Sequence, residues 1–352
     1  MQYYEAIRRQ PADLPRVLEE TRPAAAQAAE RLARATRLYL CGVGTSFHAA
    51  QVGEALFRAC GVDAWAVHSF DFAIHPPQLS ADHAVLVISH EGSTTYSVEA
   101  IRLAERRAGT CVCITGVEST APEVGVVIRT VQRERSSAHT SSYLTAMAVL
   151  AQISLELRRI LDAPTVGTFE KELMRLPRRV SEVAEREDEV RVAARKASHA
   201  GCLHFLGSGP NLPTATEGAL KVKETAHVRA EGMSFESMLH GPLAAVEAGD
   251  MAIVIASSGP EVPRMKDVIC ALGHIGVFIW LVGDKRVVAG AELPTASLRF
   301  PIPRLLPLLT PILYVVPLQL LAYHLAVARG TNSDILRRDQ PAYRRAIECF
   351  KS

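Results

Sequence analysis

Two stretches of this 352-residue chain repeat one pattern at a spacing of 165 positions, from Leu38 to Leu203. The first reads Leu38-Tyr-Leu-Cys-Gly-Val-Gly-Thr-Ser46, then a helix-like run, then Ala84-Val-Leu-Val-Ile-Ser89-His-Glu-Gly92 and a polar cluster. The second reads Leu203-His-Phe-Leu-Gly-Ser-Gly209, a helix-like run, then Ala252-Ile-Val-Ile-Ala-Ser257-Ser-Gly259. In each, an apolar strand ends in a glycine turn that opens a helix, and a second strand ends in Ser and Gly before another helix. This is a βαβ unit with small polar residues at its strand C-termini. Ligands of open parallel sheets bind at those strand ends, where helix N-termini offer free N–H groups to anions. The pattern therefore predicts a duplicated, anion-binding α/β module.

A hydrophobic content of 48% over this length supports two cores rather than one. The net charge of +2, with basic and acidic residues interspersed, argues against a nucleic-acid partner. Seven cysteines are an odd number, and Cys111 and Cys113 sit in an apolar run without zinc spacing. They read as reduced core residues of a cytoplasmic protein. Met1-Gln-Tyr-Tyr-Glu-Ala-Ile-Arg-Arg9 carries charge where a signal peptide needs an apolar stretch. Leu305 to Ala328 has the length of a membrane span but contains Pro307, Pro311, Pro317, Gln319 and His324. It reads as a buried extended segment leading into a core helix. No membrane partner and no cofactor are expected.

Residues 1–35 form a helical lead-in, broken by Pro11, Pro15 and Pro23, each placed for a first helical turn. The first domain is assigned to 36–165, a helical linker to 166–197, the second domain to 198–330 and a charged tail to 331–352. Ser136-Ser-Ala-His-Thr-Ser-Ser142 is N-cap material for an apolar helix from about Tyr143 to Leu161.

Gly42, Gly44, Thr45 and Ser46 occupy a strand-to-helix turn; taken singly, such a turn reads as a helix cap. Ser89, His90, Glu91, Ser93 and Thr94 stand at the end of the next strand, so two donor-rich loops converge on one crevice. In the second module, Glu217, Lys221 and Glu224 fall at i, i+4 and i+7 of a helical run, on one stripe. Spacing alone favours a solvated, salt-bridged face. Its position after the first loop of the module, with His240-Gly-Pro-Leu243 following, favours a general base, an electrophile and a proton shuttle.

These motifs resemble the isomerase half of glucosamine-6-phosphate synthase, which consists of sugar isomerase (SIS) domains. The matching residues are Gly-Thr-Ser at 44–46, Ser89 to Thr94, Glu217-Gly-Ala-Leu-Lys-Val-Lys-Glu224, His240 to Leu243, and Pro317-Leu-Gln-Leu-Leu-Ala-Tyr-His324. The resemblance implies two flavodoxin-like domains, each a parallel sheet flanked by helices. It implies that Ser46, Ser89 and Thr94 contact a sugar phosphate and that Glu224 moves a proton between C1 and C2 through an enediol-type intermediate. Lys221 would stabilise charge on the substrate oxygen, with Glu217 beside it. His240 would assist ring opening in the neighbouring subunit's active site, which implies a homodimer with shared sites.

The chain departs from that family in three places. It enters the first module almost directly from Met1, which predicts no glutamine hydrolysis. The tail after Thr331 has no lysine until Lys351, which removes the usual Schiff-base role or moves it. Glu91 stands where the synthase has a phosphate-binding serine, with His90 beside it, and Ser137-Ala-His139 puts a histidine in place of a sugar-contacting serine. A carboxylate about 4 to 5 Å from a phosphate dianion costs several kcal/mol at an effective dielectric near 20, unless protonated or turned away. His90, Glu91 and His139 then admit three readings. They bind a substrate amine or a displaced phosphate, they bind a divalent metal, or they satisfy one another. The metal is least favoured, because the spacing fits no local metal motif. Aldose–ketose isomerisation leads as the reaction, followed by deamination or deglycation. A sugar-phosphate sensor and an ammonia-dependent aminotransferase are the alternatives. In the latter Lys223 would replace the tail lysine, although helical phase turns it away from Glu224. Arg337, Arg338, Arg344 and Arg345 either reach the pocket or form a solvated face.

Overall fold

The structure, a computed structural model, describes residues 1–294 and 297–349. Lys351 and the end of the charged tail lie outside the described residues. Ten strands follow in chain order. The first five are β1 (Arg37–Gly42), β2 (Ala64–His68), β3 (His83–Ile88), β4 (Thr110–Thr115) and β5 (Val126–Arg129). The others are β6 (Leu203–Leu206), β7 (Ala230–Met233), β8 (Met251–Ala256), β9 (Phe278–Asp284) and β10 (Leu298–Ile302). They form two all-parallel sheets of order β2-β1-β3-β4-β5 and β10-β9-β8-β6-β7. Read by position within its own sheet, each order is 2-1-3-4-5, the flavodoxin-like arrangement.

The strands form where the chain is apolar without alternation. β8 is buried at every residue and β3 and β4 at all but the first, as parallel strands covered on both faces require. The chain divides into two compact units. One holds β1–β5 and comprises 9–135, 139–177 and 338–352; the other holds β6–β10 and comprises 1–8, 136–138 and 178–337. In the β1–β5 unit a core of Tyr39, Cys41, Val85, Val87, Ile101 and Cys113 lies between the sheet and the helix Thr95–Arg107. In the β6–β10 unit Val254, Leu281, Met265, Ile269 and Leu272 play that part beneath the helix Val262–Ile275.

The order 2-1-3-4-5 reverses direction between the first and third strands of each sheet, and the repeated glycine turns lie at those two points. Gly44 (φ +54°) and Gly209 (φ +56°) adopt matching left-handed conformations. At Gly42 an added Cβ would collide with the Ser46 carbonyl and come 2.6 Å from the Phe47 nitrogen. At Gly207 it would collide with the Asn211 carbonyl. Each glycine thus lets the following helix start against the strand end.

Two expectations need correction. Pro11 and Pro15 do not break the lead-in: both lie inside one helix, Gln2–Glu20. Its stripe of Tyr3, Ile7, Leu14, Val17 and Leu18 is buried. Pro11, half-buried, borders that stripe and Pro15, one turn on, is exposed, so burial of the stripe outweighs the lost N–H groups. Of the seven free cysteines, Cys41, Cys60, Cys111 and Cys113 are buried, whereas Cys270 and Cys349 are exposed. The stretch 166–197, expected to be a helical linker, consists of two helices, Val166–Ala184 and Glu187–Ala197. Among the described residues one helical segment, Pro307–Arg329, is long and apolar enough to cross a membrane; 83% of its most apolar window is buried. Pro311 sits in the first turn of its α-helix, Thr310–Arg329, and Pro317 inside it.

Gly42→Ala is expected to lose about 2–4 kcal/mol in urea unfolding, because the obstruction is backbone. Gly167→Ala meets nothing within 4 Å in its helix and is expected to gain about 0.5–1 kcal/mol.

Candidate functional site

The β1–β5 unit has a cleft at its switch point. Thr45 and Ser46 line it from the start of the helix Thr45–Arg58, His90 from the end of β3, Thr115 and Thr130 from β4 and β5, and His139 and Ser142 from the next helix entry. Thr115 Oγ1 donates to the Ser89 carbonyl at 2.7 Å, and Gly116 N donates to the His90 carbonyl at 2.9 Å, fixing the loop after β3. The His90 ring rests on Gly116, where a Cβ would approach its Cε1 to 2.7 Å. His90 and His139 meet edge to face, with ring centroids 5.3 Å apart.

Behind them lies Glu134, a carboxylate with 3% exposure. It accepts from Thr140 N (3.0 Å), Thr140 Oγ1 (2.9 Å), Ser142 N (2.7 Å) and Ser142 Oγ (2.6 Å), and so caps the helix Ser141–Ile160. Burial alone would raise its pKa; the nearby His139 and the bonds from Ser142 hold it below the ordinary value instead. Burial, and after it His139, push the His90 imidazole down to about 4, against the pull of Glu134 and Glu91.

In the β6–β10 unit the helix Leu212–Ala226 buries its charged stripe. Lys221 Nζ lies 3.2 Å from Glu217 Oε1 and 2.6 Å from Glu224 Oε2. The side chains of Glu217 and Lys221 are 0% and 1% exposed, while Glu224 retains 20%. Burial opposes the charge on Lys221, but Glu217 and then Glu224 outweigh it and hold its pKa above the ordinary lysine value. A buried lysine with two carboxylates is a fixed cation, and Glu224 is the carboxylate a ligand can reach. The solvated-face reading fails here because the helix packs against Thr310–Arg329, with Thr225 Oγ1 donating to the Ala322 carbonyl at 3.1 Å.

Residues 31–155 match the SIS domain family. Glutamine–fructose-6-phosphate aminotransferase [isomerizing] of Thermococcus kodakarensis is 30% identical over 347 residues, which cover 93% of this chain and 55% of that protein. Residues 31–155 therefore form an SIS domain. The chain spans about half the length of the curated relatives it matches. The C-terminal domain of glucosamine-fructose-6-phosphate aminotransferase from Francisella tularensis superimposes with a TM-score of 0.86 at 21% identity, covering 94% of this chain and 98% of that one. Tagatose-6-phosphate ketose/aldose isomerase from Escherichia coli gives 0.77 at 21% identity, covering 95% of each. The two parallel sheets, flanked by helices, match the fold of two SIS domains.

Within this SIS fold the expected binding residues separate. Thr45, Ser46, His90 and His139 share the cleft, and Gly44 shapes the turn below it. Ser89 is buried, with its N–H bonded to the Ile114 carbonyl, and Thr94 stands at the N-cap position of the helix Thr95–Arg107; neither lines the cleft. Glu91 is turned to Arg133 at 3.1 Å and, with Ser93, borders an adjacent polar cleft. Ser137 N donates to the Asp334 carbonyl, and Ser137 belongs to the β6–β10 unit. His240 is solvent-facing, with 70% side-chain exposure, and bonds Glu236 at 2.7 Å, which also holds Arg264. Lys223 is exposed, as its helical phase predicts, and so are Arg344 and Arg345. Among the described residues no group of three or more His, Cys, Asp or Glu is arranged to hold a metal ion. Glu134, Thr115 and Thr130 escaped the sequence reading. For Glu134 the signal was present: a lone acid just before a Ser/Thr-rich helix start.

His90 binds its proton less readily in the folded chain than in the unfolded one. Its contribution to stability is therefore complete above about pH 6.5 and lost as the pH falls from there through about 4, by about 3 kcal/mol at most. The melting temperature should fall across that window, and less steeply for His90→Gln in scanning calorimetry.

Proposed function

We propose that this chain is a cytoplasmic enzyme that moves a proton between C1 and C2 of a phosphorylated sugar, interconverting an aldose and a ketose. The observation that carries the reading is the Lys221 ammonium held between Glu217 and Glu224. A sensor needs no fixed cation beside a reachable carboxylate, whereas enediol chemistry needs both. Glu224 takes the proton from C2 of the aldose, and Lys221 stabilises the charge that develops on the adjacent oxygen. Glu217, fully buried, is the counter-ion that makes an interior ammonium tolerable.

The cleft of the β1–β5 unit is the proposed phosphate pocket, through Ser46 and the start of the helix Thr45–Arg58. Glu91 does not oppose a phosphate there, because its carboxylate is engaged by Arg133. His240 is assigned to ring opening in a neighbouring subunit of a homodimer, in keeping with its outward-facing ring. Loss of an amine from C1 or C2 of an amino sugar, by deamination or deglycation, uses the same base and the same cation. It stands as the second reading, and amination by a lysine imine stands behind it, because the chain between Thr331 and Lys351 contains no lysine. Lys221 is no substitute, since two carboxylates keep it protonated and an ammonium is not a nucleophile.

Proton NMR in deuterated water with hexose phosphates, amino-sugar phosphates and their unphosphorylated counterparts tests the reading. Deuterium is expected at C1 or C2, with the rate reduced about 10²- to 10⁴-fold in Glu224→Gln while substrate binding persists. Exchange that survives in the variant would exclude Glu224 as the base.

A further inference from the structure

The histidine pair in the β1–β5 cleft has no use in that proton transfer. Its two rings lie 5.3 Å apart at 78°, beside Ser46 and Ser142. Nε2 of His90 is buried and has no hydrogen-bond partner among the described residues. Gly116 beneath the ring leaves it that position and no room for a larger neighbour.

The charges around the pair decide what it can do. The first amides of the helix Ser141–Ile160 do not serve an incoming anion, because Thr140 N and Ser142 N already donate to Glu134. Glu134 is an anion itself, so the cleft carries negative charge before any ligand arrives. The charged and titratable groups around His90 are His139, Glu134, Glu91 and Arg133. Arg133, the permanent cation among them, is spent on Glu91 and is 65% exposed. A phosphate dianion entering the cleft therefore finds no free cation among the described residues, and one has to be made there. Negative charge within a few ångströms of an imidazole favours its charged form. The proton comes from bulk solvent and converts imidazole to imidazolium as the ligand binds.

We propose that His90 and His139 form a protonatable clamp that selects a phosphate monoester over the corresponding uncharged sugar, with uptake of one proton on binding. His90 presents the open nitrogen, and the His139 ring packs edge to face against it in the same cleft. This rests on the reading of the β1–β5 cleft as the phosphate pocket. It goes further in assigning the selectivity to two histidines and in coupling it to pH.

Calorimetric titration of the full chain tests it, with fructose 6-phosphate, inorganic phosphate and fructose as separate probes. The titrations run between pH 7.5 and 8.5, where the ester is already dianionic, in two buffers of different ionisation enthalpy. The expected result for both phosphates is an affinity that falls about tenfold over that pH unit, with buffer-dependent heats that give about one proton taken up. In His90→Gln and in His139→Asn the pH slope and the proton uptake should vanish, and affinity at pH 7.5 should drop at least tenfold. Gly116→Ala, whose added methyl group displaces the His90 ring while both imidazoles are retained, should lower affinity in the same way. Phosphate binding with a flat pH profile and buffer-independent heats would overturn the clamp and leave the phosphate pocket standing. Failure of the wild-type chain to bind either phosphate at any pH would overturn the pocket, and the clamp with it.

Discussion

A close approach between the end of one strand and the start of the next helix sets the geometry of both halves of this chain. At Gly42 and Gly207 the following helix passes where a side chain would stand, and two residues later the backbone takes a left-handed turn at Gly44 and Gly209. The turn brings hydroxyl-bearing residues to the point where the strand order reverses. A parallel sheet offers a crevice only at such a point, so the glycines decide where a ligand can bind as well as how the strand ends. The same device in two sheets of the same order accounts for the repeated pattern.

The two units then place charge in opposite senses. On the helix Leu212–Ala226 the interior group is a cation, Lys221, held by two carboxylates of which one is sealed and one reachable. In the β1–β5 unit it is an anion, Glu134, held by amides and hydroxyls of the helix it caps and flanked by neutral imidazole. Each arrangement is stable because the buried charge is fully hydrogen-bonded or paired, the condition on which interior ions are tolerated. Each also leaves one group with capacity to spare: Glu224, which holds Lys221 but stays partly exposed, and the Nε2 of His90, which has no partner among the described residues. In the proposed function, chemistry and recognition fall to these two groups.

The legible parts of the fold were those set by local pattern. Strands β3, β4 and β8 stand out as unbroken apolar runs because both faces of a parallel sheet are covered. The Ser/Thr cluster at 140–142 announces the helix that follows. Less legible was the lead-in: Pro11 and Pro15 look like breaks, and only the burial of Tyr3, Ile7, Leu14 and Val17 shows why one helix runs through them. At the sites, the stripe of Glu217, Lys221 and Glu224 follows from the 3.6-residue period. Whether it faced water or the interior did not, since a salt-bridged surface has the same spacing. Glu91 looked like an obstacle to phosphate until its pairing with Arg133, 42 positions away, was visible.

From the sequence alone came the order of strands, glycine turns and helices, the duplication, and the residue types that carry charge at each strand end. These follow from short-range rules: the period of a helix, the apolar run of a covered strand, and the freedom of glycine at positive φ. Only the tertiary structure decided which of those charges are buried, which partner each takes, and which polar atoms are left without one. Those outcomes depend on distances of a few ångströms between residues far apart in the chain. Desolvation and Coulomb energies vary steeply over just such distances.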